Sequence, residues 1–427
     1  METIIFALVM LLAVVVSGSL VRMSPVPIPI PLVQILLGAL IGSIVDLRVD
    51  LNPDVFFLLF LPPLLFLDGW RIPKQGLLRD KGTILQLSFG LVAFTVLGIG
   101  IFIHWMIPAM PLAVAFALGA VIPPTDPVAI SAIAERIPMP KRLMHILEAE
   151  SLLNDATGLV FLRLAVVVAL TGAFSVSDAV LTFLRLVLGG ILIGVAGTWG
   201  VVWLKNWLSR RYGEETGGQI LISLLIPFAA YFAAEHLHCS GILAAVSAGI
   251  TMSYAEISGQ ALAVTRVQRS AVWETVQFAL NGVIFVLLGE QLPVIISGAA
   301  AVVRETNHSE PWWLAIYVIA INLALGGLRL VWVWTSLQFT LFRRSWQGQK
   351  KEKPSWRLVA TASVAGVRGA LTLAGVLTLP IAMNDGSPFP ARDLAILLAA
   401  GVIIVSLVIA SLIMLSLLNG LTLPAEE

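Results

Sequence analysis

Charge is what this chain has little of: Asp, Glu, Lys and Arg make up 12% of its 427 residues, about half the share of an ordinary soluble domain. With 58% hydrophobic residues beside so few charges, no water-facing surface of the usual kind can be built, and the chain reads as an integral membrane protein of the lipid bilayer. Cysteine is nearly missing. Cys239 stands alone, so neither an intrachain disulfide nor a thiolate cluster can form. No GxxxxGK[ST] loop and no HExxH occur, which leaves out an ATP-driven pump and a zinc protease of those kinds. Glu235, His236 and His238 beside Cys239 lack the spacing of metal ligands. The net charge of +1 argues neither for nor against nucleic acid; the membrane explains the loop charges better, and no nucleic-acid partner is expected. Only Glu2 precedes the apolar run from Ile4 to Val21, and without a basic n-region that run reads as a first span rather than a cleaved signal.

What the chain has in abundance is apolar runs of spanning length. They lie at about 4–21, 28–44, 53–68, 83–104, 110–134, 142–172, 178–205, 218–236, 240–255, 271–289, 312–342, 357–377 and 392–418, about thirteen spans in all. Leu292 to Val303 is apolar but too short to span, and is expected at the interface or as a re-entrant piece. Lys and Arg fall in alternate loops: Arg22; Arg71, Lys74, Arg79 and Lys81; Arg136, Lys141 and Arg142; Lys205, Arg210 and Arg211; Arg266 and Arg269; then the run from Arg343 to Arg357. The intervening loops hold only Arg48, Arg304 and Arg392. By the positive-inside rule the basic loops are cytoplasmic, which places the N-terminus outside and the C-terminus inside a cell membrane. Such a chain divides into a first repeat at 1–177, a linker helix at 178–205 and an inverted second repeat at 206–427, six helices in each repeat. No soluble regulatory domain is expected.

Within one span stands a cluster of polar residues, Glu150-Ser151-Leu152-Leu153-Asn154-Asp155. At 100° per residue Glu150, Asn154, Gly158, Ser151 and Asp155 fall at about 0°, 40°, 80°, 100° and 140° of one stripe. A helix-central acid in lipid costs about 2.5 to 3.5 kcal/mol, so such a stripe faces a bundle interior or an aqueous cavity. The fifth and twelfth spans, equivalents under the inverted division, are both interrupted: one by Pro123-Pro124-Thr125-Asp126-Pro127, the other by Gly366-Val367-Arg368-Gly369. In the first, Asp126 before Pro127 has the form of an N-cap followed by a helix-starting proline. Paired broken helices free backbone carbonyls and half-helix ends near the midplane, where transporters build ion sites.

Asn154-Asp155 in the central helix, Thr125-Asp126-Pro127 in the span before it, and Gly366-Val367-Arg368-Gly369-Ala370-Leu371 near the end closely resemble the cation:proton antiporter family, in its NhaP-like sodium/proton exchanger branch. Phe60-Leu61-Pro62-Pro63-Leu64-Leu65-Phe66 and Ser240-Gly241-Ile242-Leu243-Ala244 add to the likeness, which runs nearly the full chain. The resemblance implies an all-α membrane fold of the NhaA/NhaP type with crossed broken helices, a homodimer, and a mobile core that carries the ion by alternating access. It implies cation ligands at Asp155, Ser151, the Thr125 carbonyl, and Asp126 directly or through water, with Na⁺ at Asp155, Ser151 and Thr125 and Asn154 beside them. It also implies a structural ion pair between Glu150 and Arg368.

The chemistry expected is competition. Asp155 holds a proton or a monovalent cation (Na⁺, Li⁺ or K⁺), and only the charge-compensated site crosses the apolar barrier readily. With Asn154 unable to titrate, the exchange is one proton for one cation, electroneutral, in the service of pH homeostasis, and needs no cofactor. The rivals fare worse: a cation channel lacks a filter such as TVGYG, an organic-solute transporter lacks an aromatic-lined pocket, and an intramembrane enzyme lacks a histidine partner for Ser151.

Overall fold

The structure is a computed structural model that describes residues 2–24, 28–44, 53–71, 82, 86–125, 141–172, 176–213, 215–257, 263–304, 312–346, 359–361, 363, 366 and 368–418. It is nearly all helical. In chain order the helices are α1 (Glu2–Met23), α2 (Ile30–Ile44), α3 (Pro53–Arg71), a π-helical turn (Gln86–Leu91) that leads into α4 (Val92–Met106), α5 (Leu112–Val121), α6 (Lys141–Thr171), α7 (Val176–Tyr212), α8 (Thr216–His236), α9 (Gly241–Ile257), α10 (Ala263–Arg304), α11 (Trp313–Trp346), α12 (Ala370–Leu377) and α13 (Arg392–Leu418). Among the described residues eight helices are long and apolar enough to cross a membrane, while α2 and α5 are shorter apolar helices. Leu181, Leu192 and Trp199 of α7 are each more than half exposed, the arrangement lipid rewards and water does not.

The chain divides into two compact units, one of Met1–Arg48, Gln75–Gly172 and Phe285–Glu427, the other of Val49–Lys74 and Ala173–Ile284. In the second, α9 packs against α3, α7 and α8. Glycines bring these backbones together: a Cβ at Gly249 would strike the Phe66 carbonyl, and one at Gly194 the Ala244 carbonyl. Phe66 stacks on Trp273 with ring centroids 5.3 Å apart. Arg269 is fully buried there, its Nη1 3.0 Å from Glu256 Oε1, and Trp70 Nε1 donates to Glu256 Oε2 at 2.7 Å.

That cluster alters one reading of the sequence. Arg266 and Arg269, expected in a loop, and Leu292 to Val303, expected as a separate short piece, all belong to the single helix α10, which runs through Pro293. Glu256 meets the Arg269 charge, so the helix need not stop before it, and membrane helices tolerate proline where neighbours re-satisfy the backbone.

In the first unit α5 packs against α4 and α6, and α12 lies against α5, α6 and α13. Gly38 of α2 meets the Val286 carbonyl of α10, and Gly289 of α10 meets the Ile35 carbonyl of α2, a reciprocal small-residue contact. Hydroxyls inside these helices mostly bond back to the preceding turn: Thr95 to Leu91 O at 2.7 Å, Thr157 to Leu153 O at 2.7 Å and Thr335 to Val331 O at 2.8 Å. Between α12 and α13 the chain makes a tight turn in which Ala382 bridges to Pro388. From it Asn384 Nδ2 donates to Leu170 O, near the end of α6, at 3.2 Å.

Candidate functional site

The polar stripe of α6 lies inside the first unit. Glu150 is 0% exposed, Ser151 2%, Asn154 1% and Asp155 8%. Facing it is the end of α5. The helix stops at Val121, and residues 122–125 are not helical, so their backbone groups are open to side-chain partners. Ser151 Oγ donates to the Thr125 carbonyl, and Asn154 Nδ2 donates to Thr125 Oγ1 at 3.1 Å. The approach is close because residue 158 is glycine: a Cβ there would lie 2.6 Å from Ala120 O and 2.7 Å from Pro124 Cγ. The structure thus brings Ser151, Asn154 and Thr125 into contact, with Asp155 buried one turn from Ser151 on the same helix. Asp126 lies outside the described residues. Asn154 Oδ1 is buried and has no hydrogen-bond partner among the described residues.

The expected ion pair is replaced by another. Glu150 is held by Arg329 of α11, whose Nη1 donates to Oε1 at 2.6 Å and Nη2 to Oε2 at 2.9 Å. A forked guanidinium meeting a carboxylate edge-on satisfies both oxygens at once, the strongest form of such a pair. Arg368 is instead drawn to the broken helix, its Nε donating to Ile122 O at 3.1 Å. There it complements the negative end of α5 and fills one carbonyl that the helix break leaves unpaired. The two arginines remain close: a Cβ at Gly366 would lie 2.8 Å from Arg368 Nη1 and 3.1 Å from Arg329 Cδ. Glycine at 366 is what lets both side chains pass. The break before α12 is present as well, since Gly366, Arg368 and Gly369 are not helical and α12 starts at Ala370.

Sequence reasoning placed Arg329 inside a span without assigning its partner, and did not single out Ser88. Arg329 carried a signal, being an arginine inside a span, where an ionisable group implies a partner; 179 residues separate it from Glu150. Ser88 carried none. It is buried in the π-helical turn and donates to the Glu150 carbonyl at 3.4 Å.

The arrangement holds one acid, Glu150, in a fixed pair with Arg329, and buries a second, Asp155, one turn from Ser151. The family described as sodium/hydrogen exchanger, transmembrane, matches residues 8–420 of the chain. The chain belongs to the sodium/hydrogen exchanger family. Among its relatives in that family, the exchanger YjcE of Escherichia coli (strain K12), itself named as uncharacterized, is 42% identical over 411 residues, covering 95% of this chain and 74% of YjcE. A protein of Bacillus subtilis (strain 168) named as a sodium, potassium, lithium and rubidium/H⁺ antiporter is 40% identical over 419 residues, 97% of this chain. The chain spans 61% of that relative's length. Among solved structures, the sodium proton antiporter MjNhaP1 of Methanocaldococcus jannaschii at pH 8 superposes with a TM-score of 0.72 over 99% of both chains at 19% identity. This sodium/hydrogen exchanger therefore has the fold of that antiporter.

Proposed function

We propose that this exchanger trades a monovalent cation (Na⁺, with Li⁺ and K⁺ as further candidates) for a proton across the cell membrane, the two competing for Asp155. The observation that carries the reading is the buried carboxylate of Asp155 beside Ser151 and the freed Thr125 carbonyl, in a polar stripe whose other acid, Glu150, is already paired by Arg329. Of the two acids in that stripe, one is thereby removed from the exchange chemistry and the other left to it. Ser151 contributes oxygen lone pairs while its proton is engaged by Thr125 O. Asn154 holds the Thr125 hydroxyl and adds no titratable group. A bare Asp155 carboxylate is a poor passenger through an apolar barrier, whereas the protonated or cation-bound form is neutral, so transport occurs as exchange. Asp126 would complete the ligand set directly or through water, and the two helix breaks would belong to inverted repeats that move the site by alternating access. By the loop charges the N-terminus lies outside and the C-terminus inside, and the working unit is a homodimer.

The test is Asp155→Asn in proteoliposomes. The variant is expected to insert and stay monodisperse while Na⁺-dependent proton movement falls to background, followed with a pH-sensitive dye. Exchange at the wild-type rate by folded Asp155→Asn protein refutes the assignment. Flux of the cation down its gradient with no proton movement favours a channel instead.

A further inference from the structure

Thr372 of α12 is a buried hydroxyl that no described residue holds. It is 1% exposed, and its Oγ1 has no hydrogen-bond partner among the described residues. Leaving such a group unsatisfied costs about 1–3 kcal/mol, and this protein usually avoids that by turning helical hydroxyls back onto the preceding turn, as at Thr95, Thr157 and Thr335. Thr372 does not. The helix begins only at Ala370, and Gly369 ahead of it is extended, with φ −123° and ψ −161°. The one carbonyl a turn back, that of Gly369, already accepts from the Thr372 N–H at 3.2 Å, and the hydroxyl makes no hydrogen bond among the described residues.

Its neighbours fix where that spare hydroxyl sits. α12 and α6 run in the same direction: at one end Gly366 touches Arg329, which holds Glu150, and at the other Asn384 bonds Leu170. Midway, a Cβ at Gly375 would lie 3.3 Å from Leu159 Cδ2 of α6 and 2.7 Å from Val121 Cγ1 of α5. Stepping back about one turn from that junction toward the breaks leads to Thr372 on α12 and to Asp155 on α6, each staying on nearly the same helix face. The two helices thus bring Thr372 and Asp155 to one level, beside the end of α5.

Resting on the exchange reading above, we infer that Thr372 is a further ligand and specificity residue of the cation site, supplied by the second broken helix. Its oxygen offers a lone pair to the dehydrated cation held at the Asp155 carboxylate. A hydroxyl so used favours small, strongly hydrated ions, which gain most from each added hard oxygen. It also explains why an otherwise unsatisfied hydroxyl stands among Leu373, Ala374 and Val376, all buried.

Thr372→Val is nearly the same size and removes only the hydroxyl. Without cation the variant is expected to melt at or slightly above the wild-type temperature, because an unsatisfied polar atom has gone. In reconstituted exchange the apparent KM for Na⁺ and Li⁺ should rise about tenfold, the effect of losing one contact to a charged group, with a smaller rise for K⁺ and little change in maximal rate. Thr372→Ser should restore the wild-type KM. A Thr372→Val protein with wild-type KM for Na⁺ and Li⁺ overturns the inference and leaves the exchange reading standing if Asp155→Asn is inactive. A fall in melting temperature with KM unchanged overturns it too, making the residue one of packing. Absence of exchange by the wild-type protein would remove both.

Discussion

Arg329→Gln is the substitution that tests the electrostatics of this site most directly. Glu150 is 0% exposed and the Arg329 side chain 4% exposed, and the two share contacts of 2.6 and 2.9 Å. Removing one partner of such a buried pair leaves a charge in a low-dielectric interior, a loss of about 3–5 kcal/mol. Arg368→Gln removes a different contact, the bond from Nε to Ile122 O, and leaves the pair intact; one charge-assisted hydrogen bond is about 1.5–3 kcal/mol. The melting temperature of purified protein in detergent should therefore fall further for Arg329→Gln than for Arg368→Gln. Glu150→Gln should resemble Arg329→Gln, and the double variant Glu150→Gln/Arg329→Gln should lie well above the sum of the two losses, with a coupling of up to about 3 kcal/mol. An apolar replacement of both, Glu150→Leu with Arg329→Met, should recover most of the stability. Wild-type melting by Arg329→Gln would refute the reasoning, as would a stronger coupling of Glu150 to Arg368 than to Arg329.

Two further predictions concern the exchange cycle and the packing beneath it. One proton for one cation on Asp155 moves no net charge, so the exchange rate should be the same at zero potential and at about 100 mV; a cycle moving one net charge would feel about 2.3 kcal/mol, and a voltage-dependent cation gradient would rule out the 1:1 count. Gly158→Ala places a Cβ 2.6 Å from Ala120 O and 2.7 Å from Pro124 Cγ, so it should cost about 1–3 kcal/mol as overpacking and slow exchange by displacing Thr125. Gly326→Ala meets nothing within 4 Å and should melt at or above the wild-type temperature; equal melting of the two variants would contradict the close approach of α5 and α6.

How far the site could be read from the chain depends on how local each relation is. Glu150, Ser151, Asn154 and Asp155 lie within two turns of one helix, so periodicity alone puts them on one stripe, and they are all buried. The break at Thr125 was legible because prolines beside it interrupt an apolar run, and a broken helix must offer its carbonyls to something; the part assigned to Thr125 itself came from the family resemblance. The partner of Glu150 was not legible. Arg329 and Arg368 are both arginines inside spans, and the choice between them rests on which one the end of α5 claims, a matter of three-dimensional placement. Likewise, the continuity of α10 through Arg269 depends on Glu256 waiting on a different helix. Thr372 belongs to the same class, since a threonine in an apolar helix is unremarked until its buried hydroxyl is seen to lack a partner among the described residues.

The π-helical turn at Gln86–Leu91 is a surplus in the register of its helix. A π turn closes hydrogen bonds one residue later than an α turn does, so it fits an extra residue into a circuit of the helix. Here the circuit takes in both Ser88, turned to the Glu150 carbonyl, and Gly90, whose missing side chain leaves room for the Trp332 indole. An ordinary α turn separates such neighbours by about 100° per residue. Deleting one residue from this stretch should leave α4 downstream in place and rotate Ser88 away from α6, so the length of this turn, more than its composition, decides which residue touches α6.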